Sequence, residues 1–252
     1  MRADQLLVER GLAASRSQAQ RLIAAGLRWR VGGGPWRTVA KNGEEVIDGA
    51  ELEIADAAET RYVSRGGLKL EGALRDAAVD ARGQVCLDVG QSTGGFTDCL
   101  LRHGAARVVG VDVGQAQLHE TVRADARVRA FEGLNARALT ADDLGEAMPD
   151  GGFGLVVGDL SFISLTLVLP ALAPLLAPRA TLLMLVKPQF ELQPGQVGKG
   201  GIVRDVGLYT VVEQRLRAAC AAAGLVVRAW LPSAIAGGDG NREFFIHAER
   251  AP

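Results

Sequence analysis

Cysteine and histidine are scarce in this 252-residue sequence, three of each, and no two cysteines form a CxxC pair. Cys86, Cys99 and Cys220 are far apart and odd in number, which argues against a disulfide framework. With so little histidine, zinc is not expected either, and no metal is called for. Simple burial in a cytosolic protein remains, which predicts a cytoplasmic location. Surplus charge is also lacking: 28 basic and 29 acidic residues give a formal net charge of −1, so overall basicity announces no nucleic-acid partner. The opening residues carry Arg2 and Asp4 but nothing like the apolar stretch of a signal peptide. One long uncharged run, residues 160–178, approaches the length of a bilayer crossing, but Pro170, Pro174 and Pro178 interrupt it. It reads as a buried strand end followed by a proline-broken helix, with no stable membrane insertion expected.

The charge that is present is unevenly placed. Between Met1 and Gly43 the acids are Asp4 and Glu9 alone, against eight Arg and Lys, and acids then crowd from Glu44 to Glu59. The first stretch would hold a polyanion through its phosphates; a solvated charged face would have the same composition. Ser15 and Gln18 fit a capping box, followed by Ala19, Leu22 and Ile23 at helical spacing and Gly26 as a stop. Leu6, Leu7 and Leu12 around Gly11 predict a short helix before it. Leu27, Trp29 and Val31 alternate with Arg28 and Arg30, which predicts a strand with one apolar and one basic face. Val46, Ile47, Leu52 and Ile54 suggest further short strands. Residues 1–60 thus form a small α+β module with a marginal core.

From residue 61 to 252 apolar runs alternate with helical patterns, the signature of an α/β domain with a mostly parallel sheet. Strands are expected near residues 85–89, 107–111, 128–131, 155–157, 181–186 and 226–230, with a last one at 244–247 inserted antiparallel. Such sheets bind ligands at the carboxyl ends of their strands, where the strand order reverses. The first crossover carries Gly90, Gly94 and Gly95, with a helix expected from about Thr97. This spacing is not GxGxxG, and Asp88 sits where it would repel a pyrophosphate and attract a methionine ammonium. S-adenosylmethionine is therefore expected rather than a nicotinamide dinucleotide. Asp88, Gly90, Ser92, Thr93, Gly94, Gly95, Phe96 and Asp159 are its expected contacts, with Asp112 at the ribose and Asn135 near the adenine.

Asp159 and Lys187 leave adjacent strand ends, so they are expected to converge on the methyl donor. Upstream, Leu70, Ala73, Leu74 and Ala77 mark the buried stripe of a helix, and Lys69 is offset from it, free to face a cleft. The segment between residues 190 and 203, rich in glycine with Lys199 and Arg204 near its end, reads as a lid, an RNA clamp or a plain surface loop.

Two resemblances follow. The order of features over residues 1–58, from Arg2 and Asp4 through Ser15-Arg16 to Gly26-Leu27, resembles the S4 RNA-binding module. The Gly32-to-Trp36 insertion departs from its usual shorter turn. This resemblance implies that Arg16, Arg21, Arg28 and Arg30 meet RNA phosphates, contacts that position a protein without choosing sequence. The segments around Lys69, Asp159, Lys187 and Glu243 resemble the Lys-Asp-Lys-Glu tetrad of the FtsJ-type ribose 2′-O-methyltransferases. The strings STGGFTD, DLSF, VKPQFE, VGKGG and REFF are similar to the TlyA (haemolysin A-like) branch.

That resemblance implies a Rossmann-like class I methyltransferase fold and those four residues as the catalytic set. It also implies ribosomal RNA or ribosomal subunits as partner. Gln91, where small residues are common, departs from the pattern and is expected to alter cofactor affinity. A ribose hydroxyl is a weak acid, so a nearby lysine must stabilise the developing alkoxide or act as its base. Three other functions compete: a membrane-active cytolysin, supported only by residues 160–178, a non-catalytic RNA-binding factor, and a nicotinamide-dependent oxidoreductase.

Overall fold

The structure is a computed structural model describing residues 1–13, 15–24, 26–54 and 61–251, without the side chains of Ser17 and Arg21. It divides into two compact units, Met1–Leu68 and Lys69–Pro252. In the first, helices α1 (Ala3–Glu9) and α2 (Arg16–Ala24) precede a three-stranded sheet of β1 (Leu27–Arg30), β2 (Arg37–Thr38) and β3 (Glu51–Ile54), in the order β2-β1-β3. Ser15 Oγ accepts from Gln18 N at 3.2 Å, as an N-cap does. Leu6, Leu7, Leu22, Leu27 and Trp29 fill the core. Val31 does not join them: β1 ends at Arg30, and Val31 is 48% exposed. Leu12 and Ile47 also face outward.

The basic face of β1 is not bare. Antiparallel pairing sets Arg28 opposite Glu53 and Arg30 opposite Glu51, with salt bridges of 2.7 and 2.6 Å. Trp36, from the glycine-rich insertion, lies 4.5 Å under the Arg30 guanidinium. Arg16 bridges to Asp4 at 3.1 Å while its side chain stays 57% exposed. The Arg21 side chain lies outside the described residues.

The second unit is a seven-stranded sheet in the order β6-β5-β4-β7-β8-β10-β9. Helix α3 (Gly66–Asp76) crosses the division at Leu68, and the elements that follow are β4 (Val85–Val89), α4 (Gly95–Arg102), β5 (Arg107–Asp112), α5 (Glu120–Arg123), β6 (Val128–Glu132), α6 (Ala141–Leu144) and β7 (Phe153–Gly158). After them come α7 (Leu169–Leu172), β8 (Leu176–Val186), α8 (Pro188–Glu191), α9 (Gly207–Ala222), β9 (Leu225–Pro232) and β10 (Phe244–Arg250). Strands β4 to β8 run parallel, and β10 pairs antiparallel with both β8 and β9. Strands buried on both faces read as unbroken apolar runs, and residues 182–186 of β8 are all buried. Helix α4 starts at Gly95, two residues before the expected Thr97.

Residues 160–178 form two 3-10 turns around α7 and then enter β8, with Pro170 and Pro174 in first turns, where proline's missing N–H costs nothing. Leu165, Val168, Leu169, Leu172 and Leu176 are core residues. Among the described residues no helix is long and apolar enough to cross a membrane.

Asp4 holds the first unit's helices together. Its side chain is fully buried, and Arg2 also pairs with it at 3.0 Å. The Arg2 hydrogen bond, opposed by burial and reinforced by Arg16, holds its pKa well below the usual carboxylate range. A lowered folded pKa gives stability that is present above about pH 4 and lost on acidification below it. We expect Asp4→Asn to speed amide exchange in α1 and α2 of the full chain at pH 7 more than at pH 3. Equal protection in variant and native chains at both pH values would exclude this role.

Candidate active site

The strand order reverses between β4 and β7, and there the bend after β4 opens a cavity of about 390 Å³. Its walls include Gly90, Ser92, Asp112, Asn135, Asp159 and Leu160. Gly90 has φ +83°, and a side chain there would come within 2.6 Å of the Asp159 carbonyl oxygen, so only glycine fits. The Asp112 carboxylate accepts from the amides of Ser92 (2.7 Å) and Gly114 (2.6 Å), which fixes it at the end of β5. Each oxygen keeps lone-pair capacity for a further donor such as a ribose hydroxyl. Asn135 Oδ1 accepts from Arg137 N at 3.0 Å.

Asp88, two residues before Gly90 on β4, is fully buried and does not line this cavity. One oxygen accepts from Thr97 Oγ1 at 2.7 Å, and Gln91 Nε2 donates to that same hydroxyl at 2.9 Å. Its other oxygen, Oδ1, is buried with no hydrogen-bond partner. Burial pushes its pKa up to about 7, and the charges of Asp159 and Asp112 push in the same direction. Three carboxylates thus surround one end of the sheet, a setting that a cationic ligand relieves.

The second half of the site follows from register. Val186 pairs with Phe244, so Lys187, just past β8, and Glu243, just before the antiparallel β10, emerge at the same edge. Gly158 pairs with Met184, which brings Asp159 beside them. Lys187 Nζ sits 2.5 Å from Asp159 Oδ1 and donates to Ser161 Oγ at 2.8 Å. Lys69 Nζ sits 2.6 Å from Glu243 Oε2, both side chains nearly buried. Helix α3 comes this close because Gly72 has no side chain: a Cβ would meet that of Ala234 at 2.7 Å. Gly237 does the same for Glu243, whose Oε1 would be 2.8 Å from a Cβ there. Burial raises the Glu243 pKa, against the pull of Lys69; Asp159 and Lys187 also act on it electrostatically, one raising and one lowering it. The two ion pairs therefore share one field.

The structure thus brings together Lys69, Asp159, Lys187 and Glu243, and places Gly90, Ser92, Asp112, Asn135 and Asp159 on the cavity wall. Thr93, Gly94 and Gly95 lie on the loop and the start of α4, outside that wall. Phe96 is in the core, stacked on Phe245 at 6.1 Å. Gln91 does not line the cavity either: its amide is packed against Gly110, where no Cβ could fit. Lys199 is in a 3-10 turn and Arg204 just beyond it, on a segment fastened at Gly201 and Val203 by Asn241.

Sequence reasoning missed Ser161, the Lys187 partner, and Phe162, which is 90% exposed at the cavity wall with φ +63° and packs on Phe190 at 5.0 Å. Glu191 was also missed: its carboxylate accepts from Ser164 Oγ (2.5 Å) and Leu165 N (2.8 Å), tying the loop after β7 to the segment after β8. The DLSF string carried a signal for Ser161, a hydroxyl two residues from an acid at a strand end.

Comparison with known proteins shows the family. Residues 62–250 match the FtsJ-like methyltransferase family and residues 1–27 the S4 domain. The 16S/23S rRNA (cytidine-2′-O)-methyltransferase TlyA of Mycobacterium tuberculosis is 49% identical over 204 residues, 81% of this chain and 73% of that protein. Hemolysin A of Brachyspira hyodysenteriae is 36% identical over 98% of this chain and 99% of its own length. A solved structure described as a candidate hemolysin from Streptococcus thermophilus superposes with a TM-score of 0.76 at 41% identity, covering 100% of this chain and 88% of that one. The chain belongs to the TlyA (hemolysin A-like) family, in which an S4 domain precedes an FtsJ-like methyltransferase domain.

Proposed function

We propose that the protein transfers a methyl group from S-adenosylmethionine to a ribose 2′-hydroxyl of ribosomal RNA. The observation that carries this reading is the pair of lysine–carboxylate contacts, Lys187–Asp159 and Lys69–Glu243, beside a nucleoside-sized cavity. The names of the TlyA relatives supply the nucleic-acid substrate and the oxygen acceptor.

The cavity suits the cofactor. Asp112 would take the ribose hydroxyls and Asn135 the base end, while Asp88, fully buried and off the cavity wall, would attract the methionine ammonium through its charge. When bound, S-adenosylmethionine supplies an electrophilic methyl on a positively charged sulfur. The protein's residues do the rest. A lysine ammonium has three donors; Lys187 donates one to Ser161 and is ion-paired with Asp159, so donor capacity remains for the acceptor oxygen as negative charge builds on it. The hydroxyl proton passes to the Asp159–Lys187 pair and on to solvent. Glu243 and Lys69 hold the neighbouring field neutral and fixed. Much of the remaining acceleration comes from alignment of the oxygen with the methyl.

Three outcomes are expected. Lys187→Ala should lower single-turnover transfer of labelled methyl to ribosomal particles by roughly 100- to 10,000-fold. Cofactor affinity should stay close to native, and nuclease digestion should locate the native enzyme's label on ribose. Brisk transfer by this variant, or label on a base, would refute the assignment. Asp112→Ala should weaken S-adenosylmethionine binding by calorimetry by about 1–3 kcal/mol, the cost of losing charge-assisted hydrogen bonds.

The third concerns pH. A raised folded pKa means that the stabilising contribution of Asp88 is full below about pH 4 and gone above about pH 7. Asp88→Asn cannot ionise, so its thermal midpoint should gain on that of the native chain between those pH values by several degrees. Above them it should hold a constant lead. A midpoint difference that ignores pH would exclude the shift.

A further inference from the structure

Arg242 stands between two buried residues, Asn241 at 2% and Glu243 at 5% exposure, so its backbone is fixed on both sides while its side chain is exposed. Its guanidinium lies 5.7 Å from the ring centre of Tyr209 and 5.9 Å from that of Phe244. Phe244 is backed in turn by Trp230, stacked at 5.1 Å. Among the described residues no carboxylate pairs with Arg242. A cation over aromatic faces is held in place without being neutralised, whereas a carboxylate would hold it and cancel its charge. Arg242 is thus an oriented, uncompensated positive charge one residue from the tetrad.

Asn241 adds two more cations. Its Oδ1 accepts from Val203 N at 2.9 Å and its Nδ2 donates to Gly201 O at 2.9 Å. Those bonds fasten the segment that carries Lys199, two residues before Gly201, and Arg204, next to Val203. Neither has a carboxylate partner among the described residues. Nδ2 also donates to Asp239 at 2.8 Å, and Asp239 accepts from Gln189, two residues after Lys187. One buried side chain therefore joins the segments after β8 and before β10 to a loop with two basic residues.

We propose that Arg242, with Lys199 and Arg204 on the loop that Asn241 fastens, forms a rim that binds RNA phosphodiesters beside the Lys187–Glu243 edge. The proposal rests on the RNA reading above and assigns that reading a binding element. Arg242 is its oriented centre, because a guanidinium meets two phosphate oxygens at once.

The test titrates a fluorescein-labelled RNA hairpin with the full chain over a series of salt concentrations. Arg242→Met keeps the apolar packing on Tyr209 and Phe244 and removes the charge. It should bind several-fold more weakly at moderate salt, with a slope of log affinity against log salt shallower by about 1. Arg242→Lys should keep the slope, and Lys199→Gln combined with Arg204→Gln should flatten it by about 2. Native thermal midpoints and unchanged S-adenosylmethionine binding would show that the variants are folded. If Arg242→Met is unstable, the double variant alone decides. An unaltered slope in the folded variants overturns the rim. Absence of methyl transfer by the native chain would instead overturn the methyltransferase reading, and the salt slopes would still report on the rim.

Discussion

Two ammonium groups and two carboxylates meet at one edge of a sheet, and most of the second unit is arranged to let them do so. A lone charge at that depth would carry a desolvation cost of several kcal/mol, so each lysine needs its acid nearby. Lys69 is 9% and Glu243 3% exposed at the side chain, and their contact is 2.6 Å. Removing either partner leaves the other buried and uncompensated. The glycines around the site follow from the same demand. Gly72 lets a helix come within reach, Gly237 leaves space for a carboxylate, and Gly90 lets the chain turn under Asp159.

Topology decides which residues can take part. In a wholly parallel sheet the start of a strand lies at the edge away from the ligand, and Glu243 would face the wrong way. Because β10 runs antiparallel between β8 and β9, its start lies beside the end of β8, and Glu243 arrives next to Lys187. A cavity at the reversal point and an ion-paired edge two strands along are thus parts of one arrangement. Asp112 and Asp159 line the cavity, and the fully buried Asp88 adds a third carboxylate whose Oδ1 has no hydrogen-bond partner.

This architecture could be read in the sequence where a strong local pattern agreed with the final packing. The strand at residues 85–89 matches β4, and the others differ mainly in length, because β8 and β10 extend beyond their most apolar stretches. The antiparallel last strand was legible from the turn and strand signals that flank it, whereas the tetrad was named as a set only by the family resemblance. The loop residues were less so. Phe96 and Gln91 sit in a glycine-rich bend that reads as ligand-facing, yet the helix start turns Phe96 onto Phe245 and Gln91 onto Thr97. Local spacing does not record which way a side chain points after a left-handed turn such as Gly90. Phe162 was hidden for a related reason: a positive φ turns out a residue that composition alone assigns to the core.

Charge was the least legible property, since sequence separates what folding brings together. The basic first stretch and the acidic residues after Glu44 look like two opposed surfaces, but strand pairing sets Arg28 against Glu53 and Arg30 against Glu51. A phosphate approaching these arginines must displace a glutamate, and an exposed ion pair is worth only about 0–1 kcal/mol, so the exchange is cheap. Such cations select for a polyanion dense enough to outcompete single carboxylates. Among the described residues Arg242, Lys199 and Arg204 have no carboxylate partner, and Arg242 is oriented by aromatic rings. The chain therefore carries positive charge in two forms, ion-paired as at Arg28 and Arg30 and, among the described residues, without a carboxylate partner as at Arg37 over Trp29 and Arg242 beside the tetrad. A cation of the second form can meet a phosphodiester without first breaking an ion pair within the protein, whereas one of the first form must exchange partners.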